Sequence, residues 1–335
     1  MEKGLKLKDK TILVTATTFG KCEPSPIPFL EDKVGRVIYN PFGRPLRSRE
    51  LIDLVNEVDG WIAGLDEISE EVINAAKRLR VISRYGVGVD RVDIRAATKR
   101  GIVVTNTPGS NSVAVAEMTI CLILALARNL IYANLATRKG EWPRLEGIGL
   151  KDKTVGIIGL GSIGREVAIR LNSFGCHVLA YDPFIDKGSG HLLGVDMVSL
   201  DDLLARSDFV TLHCSLTPET SGMVNETFLQ RMKKGAFLIN TARGELIDEE
   251  TVLNAVNKGH LRGVALDCFT KEPPNKDNPL LNHPRVIVTP HMASHTDEAI
   301  ARMSWMAMEN CLMVLTGERP AAVVNPEVYG DGLNS

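Results

Sequence analysis

The chain has 335 residues, of which 44% are hydrophobic and 24% are charged. These proportions are typical of soluble globular proteins and exclude a disordered or fibrous chain. The length predicts about two domains. The 39 basic residues nearly balance the 41 acidic ones, for a formal net charge of −2. This balance favours neither nucleic acid nor a membrane surface as a partner.

The cysteines and the N-terminal segment predict neither a metal site nor a targeting sequence. Residues 1–10 lack the apolar core of a signal peptide, and the most apolar run, 118–127, is too short to cross a bilayer. No two cysteines form a CxxC pair, so reduced thiols and no metal are expected. The sequence therefore predicts a cytoplasmic protein. The six cysteines are Cys22, Cys121, Cys176, Cys214, Cys268 and Cys311.

Short runs rich in valine and isoleucine alternate with helical patterns, which is typical of βα units in a parallel sheet. In the first third, strands are predicted at 11–16, 36–39, 61–63, 80–84 and 102–105, with helices at 48–58, 69–79 and 90–99. One long helix is predicted from 113 to 138. Because this helix is apolar on nearly every face, it should be buried between domains or subunits, and we favour an arm at a dimer interface.

A second series begins at Lys153, with strands predicted at 154–158, 177–181, 209–212, 236–239, 263–267 and 286–289. The last helix, 297–315, follows a complete second sheet, so we expect it to return to the first domain. The predicted fold is α/β, with two doubly wound parallel-sheet domains. The first comprises 1–107 and 297–335, and the second comprises 108–296.

A GxGxxG motif at Gly159, Gly161 and Gly164 lies between the strand 154–158 and a helical run at 165–174. In this context the first glycine allows a tight turn, the second lets the backbone approach a pyrophosphate, and the third lets helix and strand pack closely. The helix N-terminus then faces the anion. The motif predicts a dinucleotide site, against the alternative of a purely structural glycine turn.

Asp182 ends the next strand, where a carboxylate would accept hydrogen bonds from the adenosine ribose and repel a 2′-phosphate. No arginine follows it closely. The predicted cofactor is therefore NAD rather than NADP.

Three later strands end in chemically useful side chains, and ligands of doubly wound sheets bind beyond these ends. Arg243 can bind a carboxylate through its planar fork, and His291 can exchange a proton near neutrality. Glu272 could orient the imidazole, and Asp267 could bind the nicotinamide amide. Each residue alone has a structural interpretation, such as a surface ion pair. Together they predict hydride transfer at a carbon that bears an oxygen beside a carboxylate.

With these residues the chain resembles the D-isomer-specific 2-hydroxyacid dehydrogenases, most of all their D-3-phosphoglycerate dehydrogenase branch. The resemblance implies two Rossmann- or flavodoxin-like domains joined by a two-crossover hinge, a homodimer through the dinucleotide-binding domain, and a place in serine biosynthesis. The matching stretches are 84–93, 106–109, 113–117, 159–164, 240–244, 267–273 and 289–291.

The resemblance also implies a role for each site residue. The first domain is the substrate-binding domain, and the second binds the dinucleotide. The catalytic residues are Arg243, Glu272 and His291. The cofactor-binding residues are Gly159, Gly161, Ser162, Ile163, Gly164, Asp182, Thr241 and Asp267. The substrate-binding residues are Arg84, Val87, Gly88 and Arg243.

The chain departs from the branch at three places. Residues 61–67 contain no base where phosphoglycerate dehydrogenases place an arginine for the substrate phosphate, although Arg84 remains and Arg144 could reach across a dimer. Met-Ala-Ser-His at 292–295 replaces the commoner Ile-Gly-Gly-Ser, and His295 is expected to be a surface residue. The chain ends at Ser335, so a short form without the C-terminal regulatory domain is expected.

Several functions stay open. 3-Phosphoglycerate with 3-phosphohydroxypyruvate is the preferred substrate pair, and hydroxypyruvate, glyoxylate or another D-2-hydroxy acid is the alternative. A different class is an NAD(H)-sensing corepressor like the C-terminal binding proteins, which keep the same Arg, Glu and His. Formate dehydrogenases usually pair their histidine with glutamine, so Glu272 argues against that activity.

Overall fold

The computed structural model describes residues 7–186, 190 and 192–330, and the chain divides into two units. Unit 1 comprises Met1–Asn111 and His295–Ser335, and unit 2 comprises Ser112–Ser294. Each unit is built on a sheet whose described strands are all parallel. The predicted α/β class with two parallel-sheet domains is therefore confirmed.

The sheet of unit 1 has the strand order β2-β1-β3-β4-β5. Its strands are β1 (Thr11–Val14), β2 (Arg36–Tyr39), β3 (Gly60–Ala63), β4 (Val81–Arg84) and β5 (Val103–Thr105). Its helices are α1 (Ile27–Lys33), α2 (Ser48–Val55), α3 (Glu70–Ala75), α4 (Ile94–Lys99) and, late in the chain, α11 (Asp297–Thr316). Helix α11 packs on β3, β4 and β5.

Neighbouring residues of each strand in unit 1 enter two separate cores, one on each face of the sheet. Ile12 and Ile62 pack on the side of α1 and α11, whereas Leu13, Trp61 and Ile82 pack on the side of α2, α3 and α4. Because both faces are covered, each strand reads as a continuous apolar run rather than an alternating one. This is why short Val- and Ile-rich runs predicted these strands.

The sheet of unit 2 has the strand order β12-β11-β10-β9-β6-β7-β8. The order reverses at β6, between β9 and β7, which makes the end of β6 a topological switch point where ligands of such sheets bind. Its strands are β6 (Thr154–Ile158), β7 (His177–Tyr181), β8 (Asp196–Met197), β9 (Phe209–Leu212), β10 (Ala236–Asn240), β11 (Leu261–Leu266) and β12 (Val286–Val288). Its helices are α5 (Ser112–Ala127), α6 (Leu130–Arg138), α7 (Ser162–Ser173), α8 (Leu200–Arg206), α9 (Glu226–Arg231) and α10 (Glu249–Asn257).

The single helix predicted from 113 to 138 is wrong, because α5 and α6 meet at an angle of 63°. Asn129 separates them with a φ of 52°, in the left-handed region that asparagine tolerates better than most residues. The apolar helix α5 buries Ile120 and Ile123 in the same core as Val167 of α7. The apolar surface of α5 is therefore buried largely by other elements of unit 2. No single helix in the described part of the chain is long and apolar enough to span a membrane.

Helices α1, α8, α9 and α10 and strand β8 were not predicted, and the helices predicted at 48–58, 69–79 and 90–99 are shorter than expected. Helix α1 follows Pro26 and holds Pro28, but proline is tolerated in the first helical turn. Strand β8 has only two residues. Helix α4 begins at Ile94 instead of residue 90, because the Asp93 carboxylate caps it by accepting from the Ala96 N–H at 2.9 Å.

Candidate active site

The glycine turn of unit 2 leaves open space at the start of a helix. Gly159 has a φ of 94°, and a Cβ there would lie 2.6 Å from the backbone nitrogen of Cys214. A Cβ on Gly164 would overlap the Gly159 carbonyl oxygen, whereas one on Gly161 would meet nothing within 4 Å. Gly161 is the N-cap of α7 and makes no side-chain cap. The N–H groups of Ser162 and Ile163, in the first helical turn, are therefore suited to an anion.

Asp182 is held beside this turn. One of its oxygens accepts from the Leu160 N–H at 2.9 Å, and the other accepts from the Phe184 N–H at 2.9 Å. The carboxylate thus lies one strand away from the glycine turn and stays available to hydroxyl donors. These features fit a dinucleotide with a free 2′-hydroxyl. The start of α7 can bind an anion, Gly161 lets a ligand approach the backbone, and Asp182 is a fixed acidic group.

His291 and Glu272 form a hydrogen-bonded pair. His291 Nδ1 lies 2.8 Å from Glu272 Oε1 and 2.9 Å from Oε2, and both side chains are mostly buried. A carboxylate accepts hydrogen bonds only, so the imidazole carries a proton on Nδ1. That leaves Nε2 as the nitrogen that can exchange a proton with a ligand. The His291 backbone has a φ of 49°, which is rare for a residue with a side chain.

Asp267 holds the loop that carries His291. Its Oδ1 accepts from Thr289 Oγ1 at 2.6 Å and from the Met292 N–H at 2.9 Å, and its Oδ2 accepts from the Ala293 N–H at 2.9 Å. The Asp267 carbonyl accepts from the His291 N–H at 2.7 Å. The observed role of this buried carboxylate is therefore to fix the loop, and its contact with nicotinamide stays a prediction.

Arg243 and Thr241 follow β10 at the same edge of the sheet. Asn240 Nδ2 donates to the Arg243 carbonyl at 2.7 Å and so fixes the backbone of this turn. Thr241 Oγ1 lies 3.0 Å from Thr119 Oγ1. Because Thr119 donates its only hydroxyl proton to the Val115 carbonyl, Thr241 is the donor in this pair, and its lone pairs stay available. Thr119 was missed by sequence reasoning; a buried hydroxyl in an apolar helix was its only signal.

Two other ionisable groups at this edge are held neutral. Burial lowers the pKa of His213, which follows β9, to about 3. Burial also raises the pKa of the Cys268 thiol well above its usual range, and the charges of Glu272, Asp267 and Arg243 all act on this group. The same three charges therefore surround Cys268. Neither a protonated His213 nor a Cys268 thiolate is available for chemistry near neutral pH, which leaves the Glu272–His291 pair.

The predicted substrate-binding residues Arg84, Val87 and Gly88 lie in unit 1, at the end of β4 and in the loop that follows it. Arg84 is only 2% exposed, and its guanidinium donates to the carbonyls of Gly64 and Gly88. Val87 is exposed. The contact of all three with substrate stays a prediction. His295 is exposed, and the described residues contain no group of three or more His, Cys, Asp or Glu side chains arranged for a metal.

Comparison with known proteins identifies a family that this chain resembles. Residues 120–293 match the family model of the D-isomer specific 2-hydroxyacid dehydrogenase, NAD binding domain. The chain is 43% identical over 302 residues to glyoxylate reductase of Thermofilum pendens, covering 87% of this chain and 88% of that protein. It is 42% identical over 284 residues to D-3-phosphoglycerate dehydrogenase of Methanocaldococcus jannaschii, covering 84% of this chain. The chain spans only 54% of the length of that phosphoglycerate dehydrogenase.

Solved structures give the same grouping. A glyoxylate reductase from Paecilomyes thermophila has a TM-score of 0.83 and 29% identity, covering 95% of this chain and 99% of that one. An NAD-dependent formate dehydrogenase from Staphylococcus aureus in complex with NAD has a TM-score of 0.84 and 29% identity, covering 94% and 98%. The prediction of an NAD-binding domain is therefore confirmed.

Proposed function

The chain belongs to the D-isomer-specific 2-hydroxyacid dehydrogenase family, and from this premise we propose that it interconverts a D-2-hydroxy acid and its 2-oxo acid with NAD. The observation that carries the proposal is the contact of 2.8 Å between His291 and Glu272 at the sheet edge that also holds the glycine turn. Such a reaction needs a group that exchanges a proton, here the imidazole, and a site that binds the cofactor, here the anion-binding helix end.

The residues of unit 2 have distinct tasks in this proposal. NAD supplies the hydride carrier when it is bound. Ser162 and Ile163, in the first turn of α7, would hold its pyrophosphate, and Asp182 its ribose. Thr241 would accept a hydrogen bond from its amide through the lone pairs that the bond to Thr119 leaves available.

The proton and the carboxylate are handled by His291 and Arg243. In reduction, protonated Nε2 of His291 donates to the substrate carbonyl oxygen, and in oxidation neutral Nε2 accepts the hydroxyl proton. Glu272 keeps the other nitrogen protonated and the ring oriented. The planar guanidinium of Arg243 would bind the substrate carboxylate and polarise the carbonyl. The resemblance also assigns the N–H groups of Val87 and Gly88 to that carboxylate, and this assignment is part of the proposal.

The proposed substrate pair is 3-phosphoglycerate and 3-phosphohydroxypyruvate, supported by the phosphoglycerate dehydrogenases among the relatives. A role in serine biosynthesis depends on this choice. Glyoxylate or hydroxypyruvate is the second candidate, supported by the glyoxylate reductases and by the lack of a base at 61–67. Within that segment, a Cβ on Gly64 would lie 3.0 Å from the Cα of Ala16, so an arginine there would need the backbone to shift.

One experiment tests both levels of the proposal. NADH oxidation is followed with phosphohydroxypyruvate, hydroxypyruvate, glyoxylate and pyruvate, and the four kcat/KM values are compared. The highest kcat/KM with phosphohydroxypyruvate supports the first substrate, and the highest with glyoxylate or hydroxypyruvate supports the second. NADH binding without turnover of any of the four would instead favour the corepressor-like alternative.

We propose as well that the chain forms a homodimer through unit 2. Helix α6 and the segment after it expose a group of large apolar side chains, of which Trp142 is 78% exposed. A large contiguous patch of exposed apolar side chains usually marks an interface. The group, called here the α6 patch, consists of Leu130, Ile131, Tyr132, Leu135, Trp142 and Leu145.

A further inference from the structure

The loop after β4 in unit 1 has its carbonyl groups tied back to the protein. Successive carbonyls from 86 to 88 each accept one hydrogen bond, and the donors come from two parts of unit 1, the segment after β5 and the last residue of β4. Gly86 O accepts from the Thr107 N–H at 3.0 Å, Val87 O from Asn106 Nδ2 at 2.8 Å, and Gly88 O from Arg84 Nε at 3.1 Å. The loop backbone is therefore held from one side.

The amide groups of the same loop are left for a ligand. In the described part of the chain, the N–H groups of Val87 and Gly88 have no hydrogen-bond acceptor, whereas the Gly86 N–H donates to Thr107 Oγ1 at 3.0 Å. Gly86 has a φ of 131°, a backbone conformation that residues with a side chain rarely adopt. Adjacent backbone N–H groups in a turn can bind an anion.

Arg84 is the buried, positively charged residue at the start of this loop. Its guanidinium donates to the carbonyls of Ala63 and Gly64, at the end of β3, as well as to Gly88. One planar group thus joins the end of β3 to the loop after β4. Burying a charged group is costly unless it is paired and hydrogen-bonded, so a guanidinium in this position needs a matching negative group.

Asp66 supplies that negative group. It is fully buried, and its carboxylate accepts from Thr15 Oγ1, from the Gly64 N–H at 2.9 Å and from the Leu46 N–H at 2.8 Å. Burial raises the pKa of Asp66, and the charge of Arg84 acts in the opposite direction. Together Asp66 and Arg84 connect the loops that follow β1, β2, β3 and β4, all at the carboxyl edge of the sheet.

We propose that Arg84, supported by Asp66, is a positioning residue that presents the N–H groups of Val87 and Gly88 to the carboxylate of the substrate, in place of the direct substrate contact that the resemblance implies for Arg84. This inference rests on the proposed function. It assigns a role to a charge that is too deeply buried to reach a ligand directly. It also explains why a loop that binds an anion is held by a buried cation.

The experiment compares Arg84→Gln with a matched control, Arg100→Gln. Arg100 also binds three backbone carbonyls of unit 1, those of Ile73, Asn74 and Ala76, but they lie around the end of α3, outside the loop that Arg84 holds. Using the best 2-oxo acid of the panel, KM for that acid should rise about 10- to 100-fold in Arg84→Gln. KM for NADH should be unchanged, and kcat should change less than KM. Arg100→Gln should leave all three constants near those of the wild type.

Asn106→Ala is the second variant, in case Arg84→Gln does not fold. It removes only the bond to the Val87 carbonyl and should raise KM for the 2-oxo acid several-fold, about the effect of one hydrogen bond. Arg84→Lys, which keeps the charge but not the fork, should recover part of the loss. An unchanged KM for the 2-oxo acid in folded Arg84→Gln, or in Asn106→Ala when the former does not fold, overturns the inference while leaving the proposed function intact.

If the wild type turns over none of the 2-oxo acids, the proposed function fails and the loop is tested with oxalate as a carboxylate probe. Titration calorimetry then compares oxalate binding to the wild type and the two arginine variants. Weaker binding to Arg84→Gln than to Arg100→Gln supports the positioning role. Equal binding to both variants, or none to the wild type, overturns it.

Discussion

Glu272 places both of its carboxylate oxygens within 2.9 Å of one nitrogen of His291. The same glutamate also accepts from the Phe269 N–H at 3.2 Å, so its own position is fixed by the turn after β11. The imidazole is therefore oriented from behind, and its second nitrogen is left to the ligand. The orienting role of Glu272 and the proton-exchanging role of His291 can therefore be tested by separate substitutions.

Glu272→Gln keeps the shape of the side chain but removes its charge. We expect kcat to fall about 100-fold, because the glutamine stabilises neither the ring orientation nor the protonated imidazole as a carboxylate does. KM for NADH should not change, since Glu272 is bonded to His291 and to the turn after β11. Steady-state kinetics in both directions measure the effect. A variant with wild-type kcat would contradict the role of Glu272.

His291→Asn removes the proton-exchanging group while keeping a residue that tolerates the left-handed backbone. We expect kcat/KM to fall about 100-fold or more, with NADH binding retained. In the wild type, reduction should slow and oxidation should accelerate as pH rises, and the variant should lose this dependence. His283→Asn, a half-buried histidine bonded to Asn257, is the control. Turnover retained in His291→Asn would remove the proposed proton donor.

Thr119→Val tests the contact between α5 and β10. Valine has nearly the shape of threonine but cannot accept the hydrogen bond of Thr241, so we expect KM for NADH to rise about fivefold. Thr119→Ser restores the hydroxyl and should restore KM. Fluorescence titration with NADH measures the binding, and equal affinities in the valine and serine variants would show that Thr119 has no effect on the cofactor.

The α6 patch predicts a dimer that a charge should dissociate. A double variant, Ile131→Asp with Leu135→Asp, should shift the chain from dimer to monomer, because two carboxylates would be buried without partners. Ile169→Asp is the control, since Ile169 is a similarly exposed apolar residue on α7, outside the patch. Sedimentation velocity distinguishes the states. A wild-type chain that sediments as a monomer at high concentration would rule out this interface.

Much of this architecture could be predicted because its signals are local. Buried parallel strands are apolar on both faces, so runs such as 154–158 identify themselves, and a glycine motif directly after that strand places the dinucleotide site. Arg243, Glu272 and His291 could be named because each follows a strand end of the same sheet. Their positions need only the strand order, not the details of packing.

What the sequence could not predict depends on single dihedral angles and distant contacts. The break at Asn129 comes from one left-handed residue, which leaves the hydrophobic period on either side intact. The bond between Thr119 and Thr241 joins residues 122 positions apart. Arg84 ends a strand and precedes a glycine-rich loop, which fits an inward or an outward guanidinium equally well. Its direction is decided by Asp66 and the carbonyls around it.

The left-handed backbone at His291 limits how this position, which we propose to be catalytic, could change in evolution or design. Most residues with a side chain would lower the free energy of unfolding by about 1–2 kcal/mol in that conformation, and β-branched residues would lower it most. A lysine or tyrosine placed here as a substitute acid would carry that strain in addition to an altered pocket. A new proton donor would therefore arise more easily at a neighbouring position of the loop. Position 291 itself tolerates histidine, asparagine and few other residues.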